Sequence, residues 1–447
     1  MARPMTATPS GEATAGAAGS SASGVRALAP VFLSYRTSDG RDLATALAWA
    51  LRATGVPVWH DITDLPPGDT ARRLHAALNS GLSGAVLLIS PDIRQSSVVR
   101  DIEIPALLRL EDDPAFTLAI GSIIPRAATS AGDAASRNTL NYAAPDALLA
   151  QPPGTLQRFK QYPVFDDAGI AALAREMAAQ RMAAVRALGS SHLLLDIQTR
   201  LDPRGTPPEV PLAVRTRPPP PGRRLPPPEI WPPYAAFLAD LPRLLSIAGA
   251  NRLHVRGGAH LSVAFALGAA IPATSAWPVS VQDQTGAIWG EPGSPPRPRH
   301  VALHEETSRG QAEAADGNPV AVSIDLVPAQ PPGDAFAKFA ASHPGRYARI
   351  LRLQPVRRAP IPTEAAESLI ADLAQRIRAC AGQAATHHVD LFLRVPFPIA
   401  VLLGRMLNTL EVTLYEWDDT DAVAQYAEAV TVASGRGGGP ILQRRNS

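Results

Sequence analysis

From residue 29 onward, short unbroken apolar runs alternate with apolar positions at helical spacing. Residues 29–35 (APVFLSY), 56–59, 85–90 (AVLLIS) and 116–124 predict strands. Their continuous apolarity predicts parallel strands covered on both faces. Leu43, Ala46, Leu47, Ala50 and Leu51 predict a helix that Gly55 ends. Leu74, Ala77, Leu78 and Leu82 mark another, residues 105–110 a third, and residues 167–188 a fourth. Strand–helix alternation of this kind predicts a doubly wound α/β sheet over residues 28–188.

A second unit begins near residues 192–197 (HLLLDI) and extends to about 433. Residues 207–233 carry PPPP and PPP and predict a stiff polyproline II surface loop. Beyond it the pattern echoes itself. One copy runs from Leu253 to Gly268 and is followed by a strand at 279–283. The other runs from Leu391 to Gly404 and is followed by a strand at 412–417. Each copy is strand, arginine, small or turn residues, then a helix with Ala-x-x-x-Gly. Ala264/Gly268 and Ala400/Gly404 predict helices lying close on a sheet. Two Rossmann-like halves, about 190–300 and 301–433, are expected to face one cleft at their strand carboxyl ends. Residues 1–27 are Ala/Ser/Gly/Thr-rich and are expected to be disordered. Residues 434–447, with SGRGGG, are expected to fray.

Composition narrows the partners. Forty-two basic residues against 40 acidic ones leave a net charge of +2 over 447 residues. That excludes a broad duplex-DNA-binding face but not a local anion site. Cys380 stands alone, so there is no internal disulfide and no cysteine-based metal centre. Together with the lack of a signal-type apolar segment, it predicts an intracellular, cytoplasmic protein. No apolar run reaches the length of a membrane span.

The candidate chemistry clusters at predicted strand ends. Residues 31–39 (VFLSYRTSD) leave a strand for a helix, with Ser38 and Asp39 as N-cap types. The second strand ends in Trp59-His60-Asp61, and the following loop, 61–69, turns at Pro66-Pro67-Gly68. Residues 96–105 (SSVVRDIEIP) lead into a helix. Pro105 suits a first helical turn, which places Glu103 at the helix mouth and Asp101 further out. His60 and His75 lack a ligand cluster, so no metal site is expected.

The order FLSYRTSDG, VWHDITDLPPGD, VLLISP and a Glu-Ile opening a helix resembles a TIR domain of the bacterial effector type. The resemblance implies a flavodoxin-like fold and NAD⁺ cleavage with Glu103 as the catalytic residue. Val99 stands where that family often has tryptophan. Tyr35, Arg36, Trp59 and Asp61 are candidates for the NAD⁺ pocket, with core roles for Tyr35 and Trp59 and a capping role for Asp61 as the alternatives. An ionised carboxylate beside the ribose would stabilise the positive charge that builds as the nicotinamide bond breaks. NAD⁺ is then a substrate, and no cofactor is expected.

The duplicated unit resembles a SAVED domain, two fused CARF-like halves that bind cyclic oligonucleotides in CBASS antiphage defence. The resemblance implies a cyclic oligoadenylate activator, cyclic tri-adenylate foremost, made by a cGAS/DncV-like nucleotidyltransferase. It also implies a homo-oligomer or filament on activation. Phosphates call for amide and arginine donors, and bases for π-faces. The candidates are Arg256, Gly257, Gly258, His260, Arg394, Pro396, Phe397 and Arg405. Trp277, Trp289 and Trp417 are expected in the core. The whole would be a ligand-gated NAD⁺ glycohydrolase. The alternative is a non-catalytic TIR module that recruits another protein.

Overall fold

The computed structural model describes residues 24–59, 81–127, 139–201, 207–290, 301–309, 317–327, 335–418, 425–435 and 437–442. The predicted helix through Leu74, the loop 61–69, Asp61 and residues 1–23 lie outside these.

The first sheet is wholly parallel. It runs β2 (Val58–Trp59), β1 (Val31–Ser34), β3 (Gly84–Ile89), β4 (Thr117–Ser122), β5 (Gln161–Pro163). This is flavodoxin-like order. Every residue of β1 and β3 is buried, as their unbroken apolarity requires. Helices α1 (Thr37–Ala53), α2 (Ile104–Leu110), α3 (Ala144–Leu148) and α4 (Asp167–Ala187) accompany the sheet. Residues 24–27, expected to be disordered, are placed: Val25 is buried and bridges Leu82.

Two further sheets follow. The second runs β10 (Ile288–Trp289), β9 (Val279–Gln282), β8 (Arg252–Gly258), β6 (His192–Gln198), β7 (Leu212–Arg215). The third runs β11 (Leu303–Arg309), β13 (Arg349–Pro355), β12 (Val320–Asp325), β14 (His388–Arg394), β15 (Glu411–Asp418), β16 (Gln425–Ala433). Helices α5 (Trp231–Ala248) and α6 (Leu261–Ala270) serve the second sheet. Helices α7 (Ala335–Ala341), α8 (Ala366–Gln383) and α9 (Phe397–Met406) serve the third.

The sequence echo is a structural repeat: β8–α6–β9 and β14–α9–β15 are both parallel crossovers. Its glycines do something other than expected. They bring the two helices onto each other rather than onto a sheet, because a Cβ on Gly268 or Gly404 would meet backbone of the opposite helix.

The proline-rich stretch is also more than a surface loop. It contains β7, and Pro232 and Pro233 open α5, where a missing N–H costs nothing. Residues 440–442, within the tail expected to fray, are paired with β16. There Ala433 N donates to Pro440 O at 2.7 Å and Leu442 N to Thr431 O at 3.0 Å.

The first sheet is joined firmly to the second. One continuous core holds Leu51 and Met177 together with Leu212 and Leu245. Arg181 of α4 lies within this junction at 4% exposure. It donates to the carbonyls of Leu28 and Ala29 and to Ser83 Oγ on one side. On the other it donates to the carbonyls of Val210 and Pro211, which lead into β7.

Candidate functional site

In the first unit the site forms where β1 ends. Ser34 is the last residue of that strand and is 1% exposed. Its hydroxyl donates to Glu103 Oε2 at 2.5 Å, and Glu103 is itself buried.

Glu103 does not stand at a helix mouth. Ser96 Oγ accepts from Val99 N at 3.3 Å and starts the helix earlier, so the dipole argument falls away. Val99–Glu103 then forms a π-helical turn that runs on into α2. Pro105 supplies the reason: with no N–H to close the next α-type bond, the helix widens just before it. The widened turn carries Glu103 inward to Ser34. Asp101, the other acid of this segment, points outward. Arg100 Nε and Nη2 donate to it at 2.7 and 3.0 Å, and these bonds hold its carboxyl below the usual range.

The two expected aromatic contacts are largely buried among the described residues. Tyr35 sits in the main core and Trp59 packs with Phe32, Leu107 and Leu110, each under 10% exposed. Arg36 serves as the N-cap position of α1, a place expected for Ser38 or Asp39. Its guanidinium donates to Gln95 Oε1 at 2.9 Å and pairs with Asp92 at 3.4 Å, tying the β1 and β3 exits together. Ser34 was absent from the sequence candidates. Its only signal was a hydroxyl closing an otherwise apolar strand.

In the second unit a cleft opens between the carboxyl ends of the two sheets. It has two adjoining lobes of about 640 and 860 Å³, which share Arg200, Arg224, Leu393, Arg394 and Trp417. Six arginines line the two lobes, against Asp283, Asp325 and Glu416. Arg352 and Arg358 lie in the smaller lobe with Phe336, Phe392 and Tyr426. Gly258, His260, Pro396 and Phe397 line the larger one. Trp417 faces both lobes and so is not a core residue.

Three expected ligand contacts lie elsewhere. The Arg256 Nε donates to Asp196 Oδ2 at 2.8 Å, and Arg215 pairs with the same carboxylate. Gly257 is needed for the backbone, since at φ 117° a Cβ would stand 2.1 Å from Ile197 O. Arg405 is buried in the last turn of α9, away from the cleft end of that helix, and donates to Trp277 O at 3.0 Å.

His260 is at the cleft wall but fully engaged. Nε2 donates to Arg224 O at 2.9 Å, so Nδ1 accepts from Thr199 Oγ1 at 2.8 Å. Burial drives its pKa down to about 4, so the ring is neutral and positions the Arg224 loop.

Among the described residues, one group of metal-ligand type occurs, His387, His388 and Glu411, at the opposite ends of β14 and β15 from the cleft. No helix among them is long and apolar enough to cross a membrane.

The two sites define an α/β protein with a carboxylate centre in one unit and an arginine-lined cleft in the other. Residues 31–135 match the TIR domain family, and residues 239–432 match SAVED, the SMODS-associated sensor domain fused to various effectors. The chain is a TIR–SAVED fusion. A 59-residue stretch is 42% identical to the NAD(+) hydrolase PdTIR of Paracoccus denitrificans, covering 13% of this chain and 20% of that protein. The chain thus spans about a fifth of that relative's length. Solved structures similar to it include the Acinetobacter baumannii Cap4 SAVED/CARF-domain receptor with the cyclic trinucleotide 3'3'3'-cAAA. That match has TM-score 0.43 and 11% identity over 88% of this chain and 98% of that one. The Moraxella osloensis Cap4 receptor matches with TM-score 0.38 and 11% identity, over 88% and 98%.

Proposed function

We propose that this protein is an NAD⁺ glycohydrolase switched on by a cyclic oligonucleotide, cyclic tri-adenylate foremost, in bacterial antiphage defence. The observation that carries the reading is the buried Ser34–Glu103 pair at a parallel sheet's carboxyl edge. It occurs in a TIR domain fused to a SAVED domain whose cleft is rich in arginine.

In the proposed reaction the nicotinamide N-glycosidic bond breaks as positive charge builds on the ribose. The Glu103 carboxylate stabilises that charge, with Ser34 holding it in place. Nicotinamide leaves as a neutral molecule, so no general acid is required. Water adds to the ribose carbon, giving ADP-ribose and a proton. The reaction needs no further cofactor. Arginine guanidinium groups in the cleft neutralise ligand phosphates, and Trp417, Phe397 and Tyr426 offer faces for bases.

Ligand binding favours a homo-oligomeric form, and the TIR units complete their active sites in it by population shift. The ligand comes from a nucleotidyltransferase of the cGAS/DncV-like kind, and the protein works in the cytoplasm. The test is nicotinamide release from NAD⁺ by purified protein with and without cyclic tri-adenylate. Release only with the ring supports the reading. Ring binding with no release under any condition would leave a scaffold module in its place.

A further inference from the structure

A cyclic oligonucleotide offers phosphates, π-faces and base edges, and the cleft does not treat these alike. A helix N-terminus is the usual amide cradle for a phosphate. Helix α7 begins at the smaller lobe with Ala335 and Phe336, but the two helix starts at the larger lobe, those of α6 and α9, are closed. At α6, Glu416 Oε1 from β15 accepts from Ser262 N and from Ser262 Oγ, each at 2.8 Å. At α9 the start reads Pro396-Phe397-Pro398, and the two prolines have no N–H to give.

Phosphates are therefore directed to the smaller lobe, where the guanidinium groups of Arg200, Arg224, Arg352, Arg358 and Arg394 converge. All three carboxylates of the cleft have protein partners, Glu416 through the two bonds from Ser262. Asp325 accepts from Arg358 and Arg394 at 3.2 and 3.3 Å. Asp283 accepts from Thr285, Ala287 and Trp289 of its own hairpin. Glu416 lines only the larger lobe, next to Trp417, whereas Arg352 and Arg358 line only the smaller one and Arg200, Arg224 and Arg394 line both. Burial raises the Glu416 pKa while the bonds from Ser262 favour its ionised form. A phosphate placed beside it meets an acceptor, whereas a hydrogen-bond donor meets a partner.

We infer that Glu416 is a specificity residue that reads the exocyclic amino group of a purine base, while the arginine lobe holds the phosphates. This rests on the reading that the cleft takes a cyclic oligonucleotide. The ring then sits in one polarity, and adenine is favoured over hypoxanthine. Hypoxanthine presents a carbonyl where adenine presents its amine, and two acceptors repel.

The experiment measures dissociation constants for cyclic tri-adenylate, cyclic tri-inosinate and the same ring built from unsubstituted purine, which lacks the amine. Full-length wild type is expected to prefer the adenine ring by about tenfold to a hundredfold, the scale of a hydrogen bond to a charged group. In Glu416→Gln, whose amide can donate to a carbonyl, the adenine–hypoxanthine preference is expected to shrink below about threefold or to invert. Ser262→Ala keeps the carboxylate and is expected to keep the preference.

Equal wild-type affinity for all three rings overturns the inference without any variant being needed. So does a preference that survives intact in Glu416→Gln. Failure of wild type to bind any of the rings overturns the parent reading along with it.

Discussion

Gly268 and Gly404 each occupy the point where the other's helix passes. A Cβ on Gly268 would stand 1.9 Å from Val401 O, and one on Gly404 would stand 2.1 Å from Phe265 O. The contact is reciprocal, as a duplicated half packed on its twin requires. Gly268→Val is therefore expected to force α6 and α9 apart. Overpacking against backbone rather than a movable side chain costs about 3 kcal/mol. Urea unfolding checks this, and the variant should lose ligand affinity because both helices open onto the cleft.

Glu103→Gln is expected to lower NAD⁺ cleavage by about a hundredfold or more while leaving ligand affinity unchanged. Ser34→Ala should cost about tenfold, since it removes one hydrogen bond to a charged group. Asp101→Asn should be close to wild type, because that carboxylate faces solvent and Arg100. Nicotinamide release at saturating ligand measures all three. A dead Asp101→Asn beside an active Glu103→Gln would move the chemistry to the outer acid.

Much of this was legible from residue order. Apolar runs located the parallel strands, and the Leu253 and Leu391 echoes located both crossovers, because strand burial and helix contact leave local composition patterns. The sites were less legible because they join residues distant in sequence. Ser34 and Glu103 are 69 residues apart, and only the fold brings them together. Arg256 and Arg394 looked equivalent in the echo, and both pair with an aspartate, Asp196 and Asp325, but of the two Arg394 lines the cleft. Glu416 left a trace: a charge within the predicted strand 412–417, whose other residues are apolar or neutral. Pro105 was visible, but a widened turn is one of several ways a helix can absorb a proline.

His260 predicts a pH dependence. Its folded pKa of about 4 lies below the ordinary 6.5. Between these values the unfolded chain binds the extra proton, so stability rises with pH across that window. Its contribution is fully present above about 6.5 and is lost as pH falls toward 4. By linkage the loss is roughly 3 kcal/mol at the acid end. Urea midpoints from pH 4 to 7 should show a shallower slope in His260→Gln than in wild type. Equal slopes would mean that His260 titrates normally.

Arg181 predicts a link between the units. Its guanidinium binds four carbonyls and Ser83 across the junction. Arg181→Met would leave several buried carbonyls without donors, at a cost of roughly 3 kcal/mol. Hydrogen exchange should quicken at Leu212–Arg215, the strand that leaves the junction for the cleft. Arg181→Lys, with fewer donors, should fall between. Unchanged exchange in β7 would show that the junction is held by its apolar core alone.

The two arginines that the echo makes look alike should respond differently. Arg394 lines both lobes of the cleft. Both arginines pair with an aspartate that holds a second arginine, Arg394 with Asp325 beside Arg358 and Arg256 with Asp196 beside Arg215, but Arg256 lines neither lobe. Arg394→Gln is expected to weaken cyclic tri-adenylate binding by about tenfold, the scale of one charge-assisted phosphate contact. Arg256→Gln leaves Asp196 with Arg215 as its partner, so affinity should stay within about threefold and the cost should appear as a small loss of stability. Titration calorimetry with both variants under one buffer decides it. Equal losses would mean that the ligand draws Arg256 away from Asp196 and into the cleft. That would restore the symmetry of the two halves in the bound state.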